Sequence, residues 1–274
     1  MKIKELIING AKRLNENKIE DSNIIANVLA QKMFKIDKIQ IVINDKEIEE
    51  SEIIEYNKNI EKIIEGTPLQ YITNYQEFMG YEFYVDENVL IPQPDTEILV
   101  EEVIEISKKK ESIKILDICT GSGCIGISLA KKIENAQVTL SDISIKALEV
   151  AKKNTNINNI SNRINFIQSD MFENITEKYD IIVSNPPYIE TGVIKTLDKT
   201  VQNEPHLALD GGEDGLKFYR ILIQEGMKYL NDNGYLCLEI GYDQKEKVME
   251  LAKGKEVYCK KDLSGNDRVI IIKK

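Results

Sequence analysis

The residues most suggestive of chemistry are the run Asn185-Pro186-Pro187-Tyr188, which follows the apolar stretch Ile181-Ile182-Val183-Ser184. A polar tetrapeptide at the C-terminal end of a buried strand lies where open α/β sheets bind ligands. Two successive prolines restrict φ and hold the Asn185 side chain and the Pro186 carbonyl in a fixed relation. Together these supply two hydrogen-bond acceptors converging on one NH2 group, with Tyr188 offering a flat face for a planar amide or base. An amide or aniline-like nitrogen is a poor nucleophile because its lone pair is delocalised. Two acceptors on its hydrogens draw electron density towards nitrogen and aim the lone pair at an electrophile. The proton can leave after transfer, so such a site needs no histidine base. A plain Pro-Pro strand terminator would account for the prolines and leave Asn185 and Tyr188 without a role.

A second constellation is Asp117-Ile118-Cys119-Thr120-Gly121-Ser122-Gly123-Cys124-Ile125-Gly126, which runs from a strand through a glycine loop into a helix. Glycines at 121 and 123 let the backbone pass close to a nucleotide, and Gly121 to Gly126 satisfies GxGxxG. Asp142 ends the next strand about 20 residues on, where a ribose hydroxyl would donate to it. Two ligands fit this loop, a nicotinamide dinucleotide and S-adenosylmethionine. Asp117, beside the loop, favours the second: its carboxylate can fix loop amides or receive an ammonium, and it would repel a pyrophosphate. An oxidoreductase reading would also leave Asn185–Tyr188 idle.

The elements that must hold these residues follow from the pattern. From about residue 113, apolar strand candidates (113–118, 138–141, 164–167, 181–184, 235–240 and 269–272) alternate with helical stretches near 126–132, 145–153, 216–230 and 244–252. That order predicts a parallel, doubly wound α/β sheet. The first 65 or so residues read as helices. Their apolar faces are Leu6, Ile7, Ala11 and Leu14; Ile24, Ile25, Val28 and Leu29; and Ile53, Tyr56, Ile60 and Ile63. Alternation around Phe78, Tyr81, Phe83 and Val85 predicts a short β-hairpin, and Ile91–Glu97 a rigid turn into a helix capped by Asp95 or Thr96. The expected boundaries are a helical docking domain over 1–72, a hairpin linker over 73–92 and a catalytic domain over 93–274.

Composition narrows the class of partner. With 36 Lys and Arg against 46 Asp and Glu, the 274-residue chain carries a net charge of −10, so a strong non-specific grip on nucleic acid is not expected. Four cysteines without a CxxC pair argue against a disulfide framework or thiolate zinc site, and a single histidine against His-rich metal catalysis. No apolar run reaches membrane-spanning length, and the first residues lack a signal-peptide core, so a cytoplasmic location is expected. His206 reads as a loop residue, Cys119 and Cys124 as small residues around the glycine loop, and Cys237 as core. Glu47–Glu50 reads as a solvated helix face.

Asn185–Tyr188 with Asp117–Gly123 resembles amino-methyltransferases that use S-adenosylmethionine and act on adenine, guanine or glutamine nitrogens. Further segments narrow this: Thr67–Ile72, Val89–Glu97, Asn203-Glu204-Pro205 leading to Ala208–Gly212, Glu239-Ile240-Gly241 and Lys261–Arg268. Spread over nearly the whole length, they are similar to the peptide chain release factor glutamine N5-methyltransferase family of the HemK type. The resemblance implies a Rossmann-like seven-stranded methyltransferase sheet with a small N-terminal helical domain and a hairpin linker. It implies methylation of the glutamine in the Gly-Gly-Gln loop of class I release factors, with S-adenosylhomocysteine as product; the cysteine and histidine counts lead to the expectation of no metal, and docking of a large protein to that of a monomer. In that family the methionine part of the donor lies at positions matching Cys119, Thr120, Gly121, Ser122 and Gly123, and the ribose at Asp142. Asp170, Met171 and Phe172 match its adenine pocket, and Asn185 to Tyr188 its amide site. Two departures stand out: Gln93 where Arg is usual, and Met171 where an aromatic is common. The alternative is an amino-methyltransferase acting on adenine or guanine in a flipped base.

Overall fold

The computed structural model describes residues 1–43, 46–108 and 111–274. Two compact units divide the chain, one formed by Met1–Asn74 with Asp198–Asn203, the other by Tyr75–Leu197 with Glu204–Lys274.

The first unit is helical, over Ile3–Glu16, Ser22–Phe34, Lys38–Ile43, Glu50–Ile64 and Leu69–Thr73. Leu6, Leu14, Leu29, Tyr56 and Ile60 form its core, and the buried Tyr56 hydroxyl donates to the Ala26 carbonyl at 3.0 Å. The second helix turns a different face inward from the one its isoleucines mark. Ser22, Ala26, Leu29 and Ala30 are buried while Ile24 is 62% exposed, because the small residues allow the close approach to the first helix. Nor is Glu47–Glu50 a helix face: Ile48 is buried, Glu47 bridges to Lys2, and Glu49 caps the helix that starts at Glu50 through a reciprocal bond with Glu52. The Lys199–Gln202 turn joins this unit, and the Asn203 amide donates to the Gly66 carbonyl at 2.9 Å.

The second unit opens with the antiparallel hairpin β1 (Gln76–Phe78) and β2 (Tyr81–Phe83). The seven-stranded sheet comprises β3 (Ile113–Ile118), β4 (Ala136–Asp142), β5 (Ile164–Gln168), β6 (Tyr179–Ser184), β7 (Leu230–Glu239), β8 (Glu256–Lys261) and β9 (Asp267–Lys273). Their order is β5-β4-β3-β6-β7-β9-β8. Strand order reverses between β3 and β6, the switch point at which doubly wound sheets bind ligands. Successive residues of each central strand serve opposite faces. Ile115, Ile181, Val183 and Ile271 pack with helices Glu97–Ser107 and Cys124–Lys132. Leu116, Ile182, Leu236 and Ile270 pack with Lys217–Tyr229 and Lys245–Leu251.

The sheet differs from the all-parallel expectation at one edge, where β9 runs antiparallel to both β7 and β8. β8 itself escapes a search for apolar runs because it is a polar edge strand, EVYCKK, with only Val257 and Cys259 half-buried on its inner face. The turn before Glu97 is a short 3-10 segment, and neither Asp95 nor Thr96 caps the following helix with its side chain. Asp95 instead meets Arg268 at 3.1 Å.

Gly126 is where the glycine-loop helix presses against the sheet. A Cβ there would run into Leu140 Cδ2 and stand 3.0 Å from Asp117 Oδ2 and 3.1 Å from Val138 Cγ1. Gly126→Ala should therefore cost about 1–3 kcal/mol by overpacking. A urea midpoint that stays at the wild-type value would show that the helix lifts away freely.

Candidate functional site

A cavity of about 310 Å³ opens at the C-terminal ends of β3, β4, β5 and β6, within the range of small-ligand sites. Cys119, Thr120, Gly121 and Ser122 line it from the loop after β3, Asp142 from the end of β4, Asp170 and Met171 from beyond β5, and Asn185 and Pro187 from beyond β6. The sequence-predicted residues therefore meet around one space. Five others named with them do not line it: Asp117, Gly123, Phe172, Pro186 and Tyr188.

Each exception has a physical reason. Asp117 is fully buried beneath the loop, where its Oδ2 accepts from the Thr120 hydroxyl at 2.6 Å and the Gly126 amide at 3.0 Å. It ties loop to helix rather than facing an ammonium. Gly123 has φ +80° and a would-be Cβ directed at Ile127, Ala151 and Leu140, so packing demands glycine there. Phe172 stacks on Tyr229 with centroids 4.9 Å apart, in the core of the opposite sheet face. Pro186 is buried, and Tyr188 is half-buried against that same core. His206 starts a short helix, rather than lying in a loop, with 66% of its side chain exposed.

Gly121 behaves as the ligand-approach glycine. Its φ is +52°, and a Cβ would meet nothing within 4 Å, so a side chain would be strained and would project into the cavity. Asp142 spans the same region, with Oδ2 accepting from the Gly121 amide and Oδ1 from the Ser144 amide, both at 2.9 Å. Burial pushes its carboxyl upward against the pull of those amides. A cradle that only a glycine leaves open, beside a carboxylate with free acceptor capacity, fits the ribose and amino-acid portion of an adenosine-type donor. Cys119 and Cys124 also line the space. Burial pushes both thiols up, Cys124 to about 12, so they stay protonated and unreactive.

The tetrapeptide is braced from behind by groups that the sequence pattern leaves inconspicuous. The Gln244 amide donates to the Tyr188 carbonyl at 2.9 Å. Gly211 passes so close that a Cβ would lie 2.7 Å from Tyr188 Cα and 2.9 Å from the Pro187 carbonyl oxygen. Asn185 Nδ2 donates to the Thr96 hydroxyl at 3.2 Å. Beside them the buried Glu239 is pushed up by burial to about 7, against the pull of the neighbouring Thr96, Arg268 and Asn185. Glu204, from Asn203-Glu204-Pro205, accepts from the Ile91 amide at 2.8 Å and is likewise pushed up by burial to about 7. Among the described residues, no group of three or more His, Cys, Asp or Glu is placed to hold a metal ion, and no helix is long and apolar enough to cross a membrane.

Comparison with known proteins adds to this geometry. Residues 93–211 match the family model "Methyltransferase small domain", and residues 5–73 match "PrmC N-terminal domain". The chain is 42% identical to a release factor glutamine methyltransferase of Clostridium botulinum, over 100% of both chains. It is 40% identical to one of Thermodesulfovibrio yellowstonii, over 100% of this chain and 97% of that one. Among solved structures, a methyltransferase from Pyrococcus furiosus superposes with a TM-score of 0.53 at 19% identity, over 80% of this chain and 98% of that one, which bears on the fold alone.

Asp117 makes a stability test. Burial pushes its folded carboxyl from 3.8 to about 7, so the fold keeps a proton that the unfolded chain has released. Its stabilising contribution is whole below the unfolded value and is lost as pH rises through about 7. Asp117→Asn retains an acceptor for Thr120 and Gly126 and should flatten the fall of urea-measured stability over that window, by at most about 1.4 kcal/mol per pH unit. An unchanged slope would mean that Asp117 stays ionised in the fold.

Proposed function

Because the chain belongs to the release factor glutamine methyltransferase family, we propose that it transfers a methyl group from S-adenosylmethionine to the side-chain amide nitrogen of the glutamine in the Gly-Gly-Gln motif of class I release factors. The observation that carries this reading is the cavity itself, which Gly121 and Asp142 line from one side of the β3/β6 switch point and Asn185 from the other. When bound, the donor supplies an electrophilic sulfonium methyl. Cys119 to Ser122 would hold its methionine part, Asp142 the ribose, and Asp170 with Met171 the adenine.

Asn185 does the work on the acceptor. Its NH2 is engaged by Thr96, which leaves Oδ1 for the incoming amide. Accepting one N–H of the substrate amide concentrates electron density on the nitrogen as it gains positive character, while the Pro186 carbonyl, expected as the second acceptor, lies outside the cavity lining. The methylated nitrogen is then acidic enough to release its proton to solvent. Gln93 lines the cavity and donates to the Ile91 carbonyl at 3.0 Å, so its amide helps shape the wall. The family match over residues 5–73, together with Ile8 and Ile24 exposed beside a surface groove, supports the first unit as the release-factor dock.

Two measurements test the reading. Asn185→Ala should leave donor binding intact and slow transfer roughly 100- to 1,000-fold, and a release factor with its target glutamine changed to glutamate should accept no label. Labelling of duplex DNA or structured RNA in place of the release factor would overturn it in favour of a base-directed enzyme. Asp142→Ala should weaken S-adenosylmethionine binding about tenfold or more in calorimetry, since a hydrogen bond to a charged acceptor is lost. Unchanged affinity would remove Asp142 from the donor site.

A further inference from the structure

Glu239 closes β7 next to the end of β6, where Leu238 is in register with Ser184, so the two following residues, Glu239 and Asn185, are neighbours across the strands. Its side chain is 2% exposed, and its Oε2 has no hydrogen-bond partner. An acid in such a place weakens the fold, and an apolar residue of like volume would suit the surrounding core better. The polar groups beside its carboxyl are the Thr96 hydroxyl and the Asn185 amide, and Asn185 Nδ2 donates to that hydroxyl at 3.2 Å. The adjacent cation, Arg268 on β9, is already engaged by Asp262 at 3.0 Å and Asp95 at 3.1 Å. Tyr188, Tyr219 and Cys124 complete the titratable groups around the carboxylate.

We infer that Glu239 is a positioning residue for Asn185: with the Thr96 hydroxyl, its carboxyl group holds the Asn185 NH2 on their side and leaves Oδ1 as the atom offered to the substrate amide. An amide has two orientations of nearly identical shape, and only one presents an acceptor to the substrate. Turning Asn185 over would bring Oδ1 against the carboxylate, lone pair to lone pair, and leave an NH2 facing a substrate NH2. The carboxylate makes that flip unfavourable. Where Glu239 is ionised, donation from Nδ2 towards it also shifts electron density onto Oδ1, which strengthens the bond it accepts from the substrate. The inference rests on the proposed role of Asn185 as the acceptor.

The test is a double-mutant cycle in single-turnover methyl transfer to a release factor, using the full chain. Glu239→Leu and the unbranched Glu239→Met should each transfer about 10- to 100-fold more slowly, with S-adenosylmethionine affinity unchanged in calorimetry. Glu239→Gln, which can still accept from the Asn185 NH2, should recover to within about fivefold of wild type. In the Asn185→Ala background, Glu239→Leu should cause no further loss, because its effect runs through an amide that is no longer there. Wild-type rates in Glu239→Leu or Glu239→Met beside a slow Asn185→Ala would overturn the inference while leaving the acceptor role standing, as would losses that multiply in the double variant. Failure of both apolar variants to fold would also overturn it, since it would make the acid a structural requirement. A wild-type rate in Asn185→Ala itself would instead sink the acceptor role on which the inference rests.

Discussion

The parallel pairing of β3 with β6 is the constraint on which the site depends. Ile118 sits opposite Ser184, and the Ser184 hydroxyl donates to the Ile118 carbonyl at 2.6 Å, which locks the two strand ends level. Whatever follows Ile118 must then face whatever follows Ser184 across one strand spacing. Ser122 of the glycine loop and Asn185 are 63 residues apart along the chain, yet this register leaves them lining one cavity. A slip by one residue would exchange inward and outward side chains along β6 and carry Asn185 off the cavity. Ile181 and Val183 pack on one face and Ile182 on the other, so both faces are apolar and the Ser184–Ile118 bond is what marks the register.

The backbone around this junction is held by close approach as much as by apolar contact. Gly126 lets one helix sit against β4, Gly211 lets a neighbouring loop sit against Tyr188, and Asn154 ties the chain beyond the hairpin to the glycine loop. The Asn154 side chain accepts from the Tyr84 amide at 2.7 Å and donates to the Tyr84 and Ser122 carbonyls at 2.9 Å each. Rigid loops of this kind place acceptors before the substrate arrives, and reorganisation is the cost that electrostatic catalysis must avoid.

Several of the residues that touch the cavity were legible in the sequence because their types are unusual where they stand. Gly121 occupies a strand–helix turn, Asp142 ends an apolar strand, and Asn185 precedes two prolines. The groups behind them were not. Glu239 is one of 46 acidic residues, and nothing local distinguishes a buried carboxylate from a solvated one; only the pairing of β7 with β6 reveals it. Thr96, which itself lines the cavity, read as a helix cap for the same reason, since its partner Asn185 is 89 residues away. In the fold, apolar runs found the central strands, whereas β8 hides behind charged residues and the antiparallel sense of β9 is a property of topology rather than of pattern. The second helix misled because its isoleucines, the natural markers of a core face, give way to alanines at a close helix contact.

Keeping Asp117 and Glu239 one step back from the cavity is consistent with the chemistry. A carboxylate in contact with a sulfonium would stabilise the positive charge that transfer must discharge, and so favour the ground state over the transition state. A neutral amide oxygen, the role proposed for Asn185 Oδ1, would respond instead to charge developing on the acceptor nitrogen. Asp117 and Glu239 act at one remove, the first on the loop through Thr120 and Gly126 and the second on Asn185. With the single histidine exposed and absent from the cavity lining, the arrangement relies on oriented dipoles, and the buried acids keep those dipoles oriented at some expense to the stability of the fold.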